Sequence, residues 1–258
     1  MPLFIGIVGL PNVGKSTVFN ALTGGGAEAS NYPFCTVDPN VGMVGVPDDR
    51  LGRLNEILKP GSCTPTDIRF VDIAGLVRGA SRGEGLGNTF LGHIREADAV
   101  VHVVRCFEDE SISHVSPELD PVGDAEVVEA ELMLADLAAG EEILSRLEKG
   151  LRSDPRAPEK REHEAVSRIV DGLRAGTPAH RLDLSGEEQA ATRGYGFLTT
   201  KPVLYVANVG EGDLPEGGTG TGELAARFGD DQVLPISAQI ESELSQLPAE
   251  EQRDFLAD

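Results

Sequence analysis

The chain is short of cysteine, of positive charge and of long apolar runs. Its 258 residues include three cysteines, Cys35, Cys63 and Cys106, which are scattered along the sequence. That is too few for a disulfide framework or a zinc site, so they read as reduced thiols. Lys and Arg number 22 against 43 Asp and Glu, a net charge of −21. This excludes a basic nucleic-acid footprint spread over the whole surface, and direct DNA binding is not expected. The acidic surface favours a soluble monomer. No apolar run is long enough to cross a membrane. The start, Met1-Pro2-Leu3-Phe4, lacks the basic segment of a secretory signal and enters an apolar stretch at once. These absences predict a cytoplasmic protein with no membrane partner.

What is present alternates. Short, β-branched, continuous apolar runs occupy residues 4–8, 68–73, 99–104, 203–207 and 232–236. Such runs suit strands buried on both faces, and the helical stretches between them imply a mainly parallel, doubly wound α/β sheet. From about Ala125 the pattern becomes helical, with Val127, Ala130, Leu134, Leu137, Leu144, Leu147 and Leu151 at near-heptad spacing. The Pro155 and Pro158 region breaks it, and Val166, Ile169, Val170 and Leu173 then mark one face of a second helix. Ser185-Gly186-Glu187-Glu188 reads as a capping box. The division expected is a nucleotide-binding domain over 1–124 and 200–258, interrupted by a helical, coiled-coil-like hairpin over 125–199. Residues 212–222, rich in Gly and Thr, read as a surface loop. A tail helix is expected from near Ser242 or Pro248.

Between the first strand and a helix-like segment lies Gly9-Leu10-Pro11-Asn12-Val13-Gly14-Lys15-Ser16, with Thr17 following. Glycines let a loop turn its N–H groups toward phosphate oxygens, and a helix N-terminus adds donors and the positive end of a dipole. Asn12, Val13, Gly14, Lys15, Ser16 and Thr17 are therefore the expected phosphate cradle. Lys15 can bridge the β- and γ-phosphates, and the Ser16 hydroxyl can ligate Mg²⁺. Further elements follow in order. Thr36, in a Pro-bounded loop, is placed to close over the γ-phosphate and ligate the same ion. Asp72, in Asp72-Ile73-Ala74-Gly75 at a strand end, fits the outer Mg²⁺ sphere, and the Gly75 N–H fits the γ-phosphate. Asn208-Val209-Gly210-Glu211 follows a later strand where GTPases carry N-K-x-D. The aspartate of that motif fixes guanine through two hydrogen bonds. Glu211 is longer, and Val209 replaces the lysine, so guanine recognition should weaken. Asn208 can still hold a purine N7 or exocyclic amine. Ser237 and Ala238 follow the last strand, where a backbone N–H commonly meets the base.

This set resembles the Obg-type P-loop NTPases and, within them, the Obg-like ATPase (YchF) family. The resemblance covers nearly the whole chain; beyond the motifs above it rests on residues 32–40 and 83–88. The Asn-Val-x-Glu string is its specific part. It implies a P-loop G-domain fold with a coiled-coil insertion, and Mg²⁺-dependent hydrolysis of ATP in preference to GTP. It also implies a ribosome or translation partner met through the helical insertion. Family members normally continue into a C-terminal TGS domain, so the resemblance implies a fragment. Small GTPases place a water-orienting glutamine just after D-x-x-G; here Leu76 stands there, so hydrolysis should be slow. Asn12 resembles the asparagine of K⁺-activated relatives and equally suits a tight turn. His114 is the other candidate, since similar family loops carry a histidine proposed to approach the γ-phosphate. His93 and His102 read as packing residues. An Obg-type GTPase is the alternative, and a nucleotide-gated binding module with incidental turnover is a second.

Overall fold

A computed structural model describes residues 2–24, 41–73, 86–109, 119–153 and 159–255. Thr36, Gly75, Leu76 and His114 lie outside the described residues. Among those described, the strands are β1 (Leu3–Val8), β2 (Val41–Gly45), β3 (Asp67–Asp72), β4 (Ala99–Arg105), β5 (Val203–Asn208) and β6 (Val233–Ile236). They form one sheet in the order β2-β3-β1-β4-β5-β6. Every pairing is parallel except β2 with β3 at the edge. The apolar runs explain the centre: from Val100 onward β4 is buried along its length, as a strand covered on both faces must be. From β1 the chain moves one way to β3, then crosses back over β1 to β4. Such a reversal opens a crevice at the carboxyl ends of the strands. Gly9, Asp72, Arg105, Asn208 and Ser237 stand at or just past those ends.

The helices that follow the strands are α1 (Lys15–Leu22), α2 (Asp49–Leu58), α3 (Leu86–Glu96), α4 (Pro121–Ser153), α5 (Glu159–Arg174), α6 (Gly186–Thr192), α7 (Gly218–Phe228), α8 (Ala238–Leu244) and α9 (Ala249–Phe255). One core joins Ile7, Val103 and Val206 of the sheet to Phe19, Ile94 and Val128 of the helices. A second joins Val104, Ala207 and Val209 to Leu224 and Phe228 of α7. α6 carries the expected capping box, with the Glu188 N–H donating to Ser185 Oγ and the Ser185 N–H to Glu188 Oε2.

The helical hairpin has a core of its own, in which Val166, Ile169, Val170 and Leu173 of α5 meet Leu137, Ile143 and Leu144 of α4. The helices run antiparallel: Arg174 pairs with Glu141 at 2.9 Å and His163 faces Glu148 at 3.9 Å. Gly140 makes the close approach possible, because a Cβ there would lie 2.6 Å from Val170 Cγ2.

Several sequence expectations need correcting. The heptad reading of α4 fails in its first half, where Leu134 is half exposed and Ala125, Val128, Leu132 and Ala135 face inward. That half packs on the sheet, so an even seam toward another helix is not what the core selects. A domain boundary at 125 therefore falls inside one continuous helix. Residues 212–222 are not a loop: a 3₁₀ turn at Glu211–Asp213 leads into α7, whose Thr221, Leu224 and Phe228 are buried. β2 and α2 were not anticipated. The tail holds two short helices where one was expected. His93 is exposed. His102 is buried as expected, its ring 5.4 Å from that of Tyr205.

Candidate functional site: a phosphate cradle facing an acidic pocket wall

The loop after β1 turns on backbone conformations that its sequence supplies. Asn12 has φ 62° and Gly14 φ 98°. Asparagine tolerates the left-handed region and glycine prefers it. Gly14 is held to glycine for a second reason, since a Cβ there would run into the Asn208 amide. Val13 is buried under the loop and anchors it. Lys15 opens α1 with its side chain mostly enclosed, and its ammonium donates to the Leu10 carbonyl at 2.7 Å. Burial pulls the pKa of Lys15 down, and the nearby charge of Asp72 partly opposes that.

Ser16 Oγ donates to Asp72 Oδ2 at 2.6 Å, joining the cradle to the end of β3 across 56 positions of sequence. The other carboxylate oxygen, Asp72 Oδ1, is buried and has no hydrogen-bond partner among the described residues. A buried, unsatisfied carboxylate oxygen is costly unless something else meets it. A hydrated Mg²⁺ fits this pair, being a hard cation that takes oxygen ligands and keeps several waters and phosphate oxygens. Among the described residues no group of three or more His, Cys, Asp or Glu could hold a metal alone.

At the other end of the crevice Asn208 is largely occupied. Its Nδ2 donates to the Val13 carbonyl at 2.9 Å, and its Oδ1 accepts from the Ala238 N–H at 3.0 Å. It therefore ties the cradle to the segment after β6. One amide hydrogen of Asn208 remains for a ligand, and the Ala238 N–H expected to meet the base is directed at Asn208. Val209, expected at the ligand, borders the cavity but is 2 % exposed and packs in the second core. Glu211 is exposed in its 3₁₀ turn and lines the cavity. Ser237, buried, precedes α8 on the same wall.

These groups surround one cavity of about 970 Å³. Asn12, Gly14, Lys15, Ser16 and Thr17 form one side, and Asn208, Glu211, Ser237 and Ala238 another. Sequence reasoning missed the remaining wall: Phe107, Glu108 and Asp109 after β4, and Glu243, Leu247 and Phe255 from the tail. The first three carried a usable signal, because residues just past a parallel strand face the crevice. Lys15 and the α1 N-terminus share the cavity with four carboxylates, Glu108, Asp109, Glu211 and Glu243. A triphosphate is drawn to the cation and the helix terminus and repelled by the carboxylates.

Fold and site together define a P-loop nucleotide-binding domain. A family described as "50S ribosome-binding GTPase" matches residues 4–139. The chain is 46% identical over 260 residues to "Ribosome-binding ATPase YchF" of Bacillus subtilis (strain 168), covering 99% of this chain and 71% of that protein. It is 48% identical over 253 residues to the protein of the same name from Escherichia coli O157:H7, covering 97% and 69%. A solved structure, "Structure of the Schizosaccharomyces pombe YchF GTPase", aligns with a TM-score of 0.84 at 35% identity over 99% of this chain and 70% of that one. The chain belongs to the YchF family of P-loop NTPases.

Proposed function

We propose that the chain is a nucleotide-dependent switch that binds Mg²⁺-ATP and slowly hydrolyses it to ADP and phosphate, in the cytoplasm and in association with the ribosome. The observation that carries the reading is one cavity joining the Lys15, Ser16 and Asp72 cradle to a base loop without the lysine and aspartate of N-K-x-D. Ser16 and Asp72 would hold the Mg²⁺, which when bound supplies charge neutralisation at the β- and γ-phosphates. Lys15 holds the same oxygens as a fixed cation in a low-dielectric setting. Asn208 offers its one remaining N–H to the purine, and Glu211 accepts from an exocyclic amine, as adenine N6 provides. Thr36 and Gly75 close over the γ-phosphate, and their release after hydrolysis is the switch.

Leu76 cannot orient water, so turnover is slow unless Asn12 recruits K⁺ or His114 positions the water. An unchanged single-turnover rate in His114→Ala would remove that histidine, and a rate indifferent to K⁺ over Na⁺ would remove the ion. The ribosome enters because the bacterial relatives are named ribosome-binding. The hairpin, proposed as an inserted unit within 125–199, is its docking element: its core is separate from the sheet cores.

The alternative is GTP, and the fission-yeast relative is titled a GTPase. Side-by-side calorimetric titration of ATP and GTP with Mg²⁺ tests the reading, and a hundredfold preference for GTP would sink it. The binding-module alternative predicts that shortening α4 and α5 abolishes ribosome association while nucleotide affinity holds.

A further inference from the structure

Arg105 closes β4 directly beside Asn208, its register partner on β5. It is 5 % exposed, an unusual burial for arginine, and closes its strand two residues before Phe107 of the cavity wall. Its guanidinium turns forward along its own chain. Nε donates to the Phe107 carbonyl at 3.1 Å, Nη2 donates to the Asp109 carbonyl at 3.0 Å, and Cζ lies 4.6 Å from the centre of the Phe107 ring. One planar fork thus grips both ends of a three-residue turn and packs against the aromatic ring within it. The turn is also pinned at its root, where the Cys106 N–H donates to the Asn208 carbonyl at 2.8 Å. Phe107, Glu108 and Asp109 line the same cavity as the phosphate cradle.

We propose that Arg105 is a positioning residue for nucleobase recognition: it fixes the Phe107–Asp109 wall so that the base-side half of the cavity has a set shape before nucleotide arrives. The inference rests on the reading that the base lies between this wall and Glu211. Two donors at fixed separation are the reason for arginine. A lysine ammonium on a flexible stem can satisfy one carbonyl but does not span both, and it cannot lie flat on the ring. A wall ordered in advance lowers the cost of ordering it on binding. The bonds to Phe107 and Asp109 hold Arg105 to its own turn, so its influence should fall on the base rather than on the phosphates.

That boundary is the test. Affinities for ATP and for inorganic tripolyphosphate, each with Mg²⁺, are measured by calorimetry on the whole chain for wild type, Arg105→Gln and Arg105→Lys. ATP affinity should fall about tenfold in Arg105→Gln, recover part of the way in Arg105→Lys, and leave tripolyphosphate affinity unchanged. Equal losses for the two probes, or no loss for ATP, would overturn the proposal. If Arg105→Gln does not fold, Arg105→Lys decides by the same criterion. Glu211→Ala is carried in parallel. If it alters the ratio of ATP to GTP affinity while Arg105→Gln spares ATP, the base reading stands and the positioning role falls. If neither variant alters base-dependent binding, the base reading itself is wrong.

Discussion

The two ends of the nucleotide cavity are built by different means. Among the described residues the phosphate end is nearly contiguous: five of its residues lie between Asn12 and Thr17, and Asp72 joins them from the end of β3. The base end is assembled from the turn after β4, the turn after β5, the start of α8 and the tail. A contiguous cradle depends on local backbone conformation, on Gly14 at φ 98° and on a helix terminus. An assembled wall depends on the whole sheet being in register. The cradle should therefore resist distant changes that the base wall cannot.

Asn208 is where the two ends meet, and its removal should have the largest effect. Asn208→Ala leaves the Val13 carbonyl and the Ala238 N–H buried without partners. A loss of about 2–4 kcal/mol of stability is expected, with weaker binding of every nucleotide. Chemical denaturation and ATP titration check it; a variant as stable as wild type would mean the two ends are not joined through this amide.

Lys15→Met confines the damage to the phosphate end. Losing a charged partner to triphosphate is worth about 2–3 kcal/mol, roughly 100-fold in ATP affinity. The ATP-to-GTP affinity ratio should not move, and a changed ratio would show the cradle sensing the base.

Gly140→Leu attacks neither end. A side chain at the α4–α5 contact must displace Val170, which should cost about 1–3 kcal/mol. Thermal unfolding should register the loss while ATP affinity in the folded protein holds.

The smallest expected effect is one of pH. His102, enclosed in β4 beneath the cradle, has its pKa lowered from 6.5 to about 3, by burial first and by the charge of Lys15 second. The folded state keeps it neutral where the unfolded chain binds a proton. Stability should accordingly fall as pH drops from about 6.5 toward 3, and be unaffected by this group above that range. His102→Leu should flatten that part of the melting-temperature profile, and an unchanged slope would remove His102 as its cause.

How much could be read from the sequence follows the same division. The cradle, the central strands, the α5 stripe and the Ser185 cap were legible because each is set by a few adjacent residues. β2 was not, since Val41-Gly42-Met43-Val44-Gly45 carries two glycines and gains its order by pairing with β3. α2 buries none of its residues, so it offered no core-facing stripe to recognise, although Asp48 caps it as such residues do. α7 hid behind the glycines of its first turns. Val209 borders the cavity, but its motif gave no sign that most of the side chain packs into the second core. The Phe107 wall went unread although its place just past a predicted parallel strand was a usable signal, because Phe-Glu-Asp carries no motif of its own.

The burial of Val209 also sharpens the choice of mutant for the central claim, that the base end alone selects the nucleotide. A lysine at 209 would have to enter the core, whereas Glu211 is exposed and can be shortened without that cost. The decisive measurement is the ratio of ATP to GTP affinity in wild type and in Glu211→Asp. The account predicts about tenfold or more in favour of ATP for wild type, and a shift of that ratio toward GTP in the variant with tripolyphosphate binding unchanged. A wild type that prefers GTP, or a ratio that does not respond to Glu211→Asp, would contradict it.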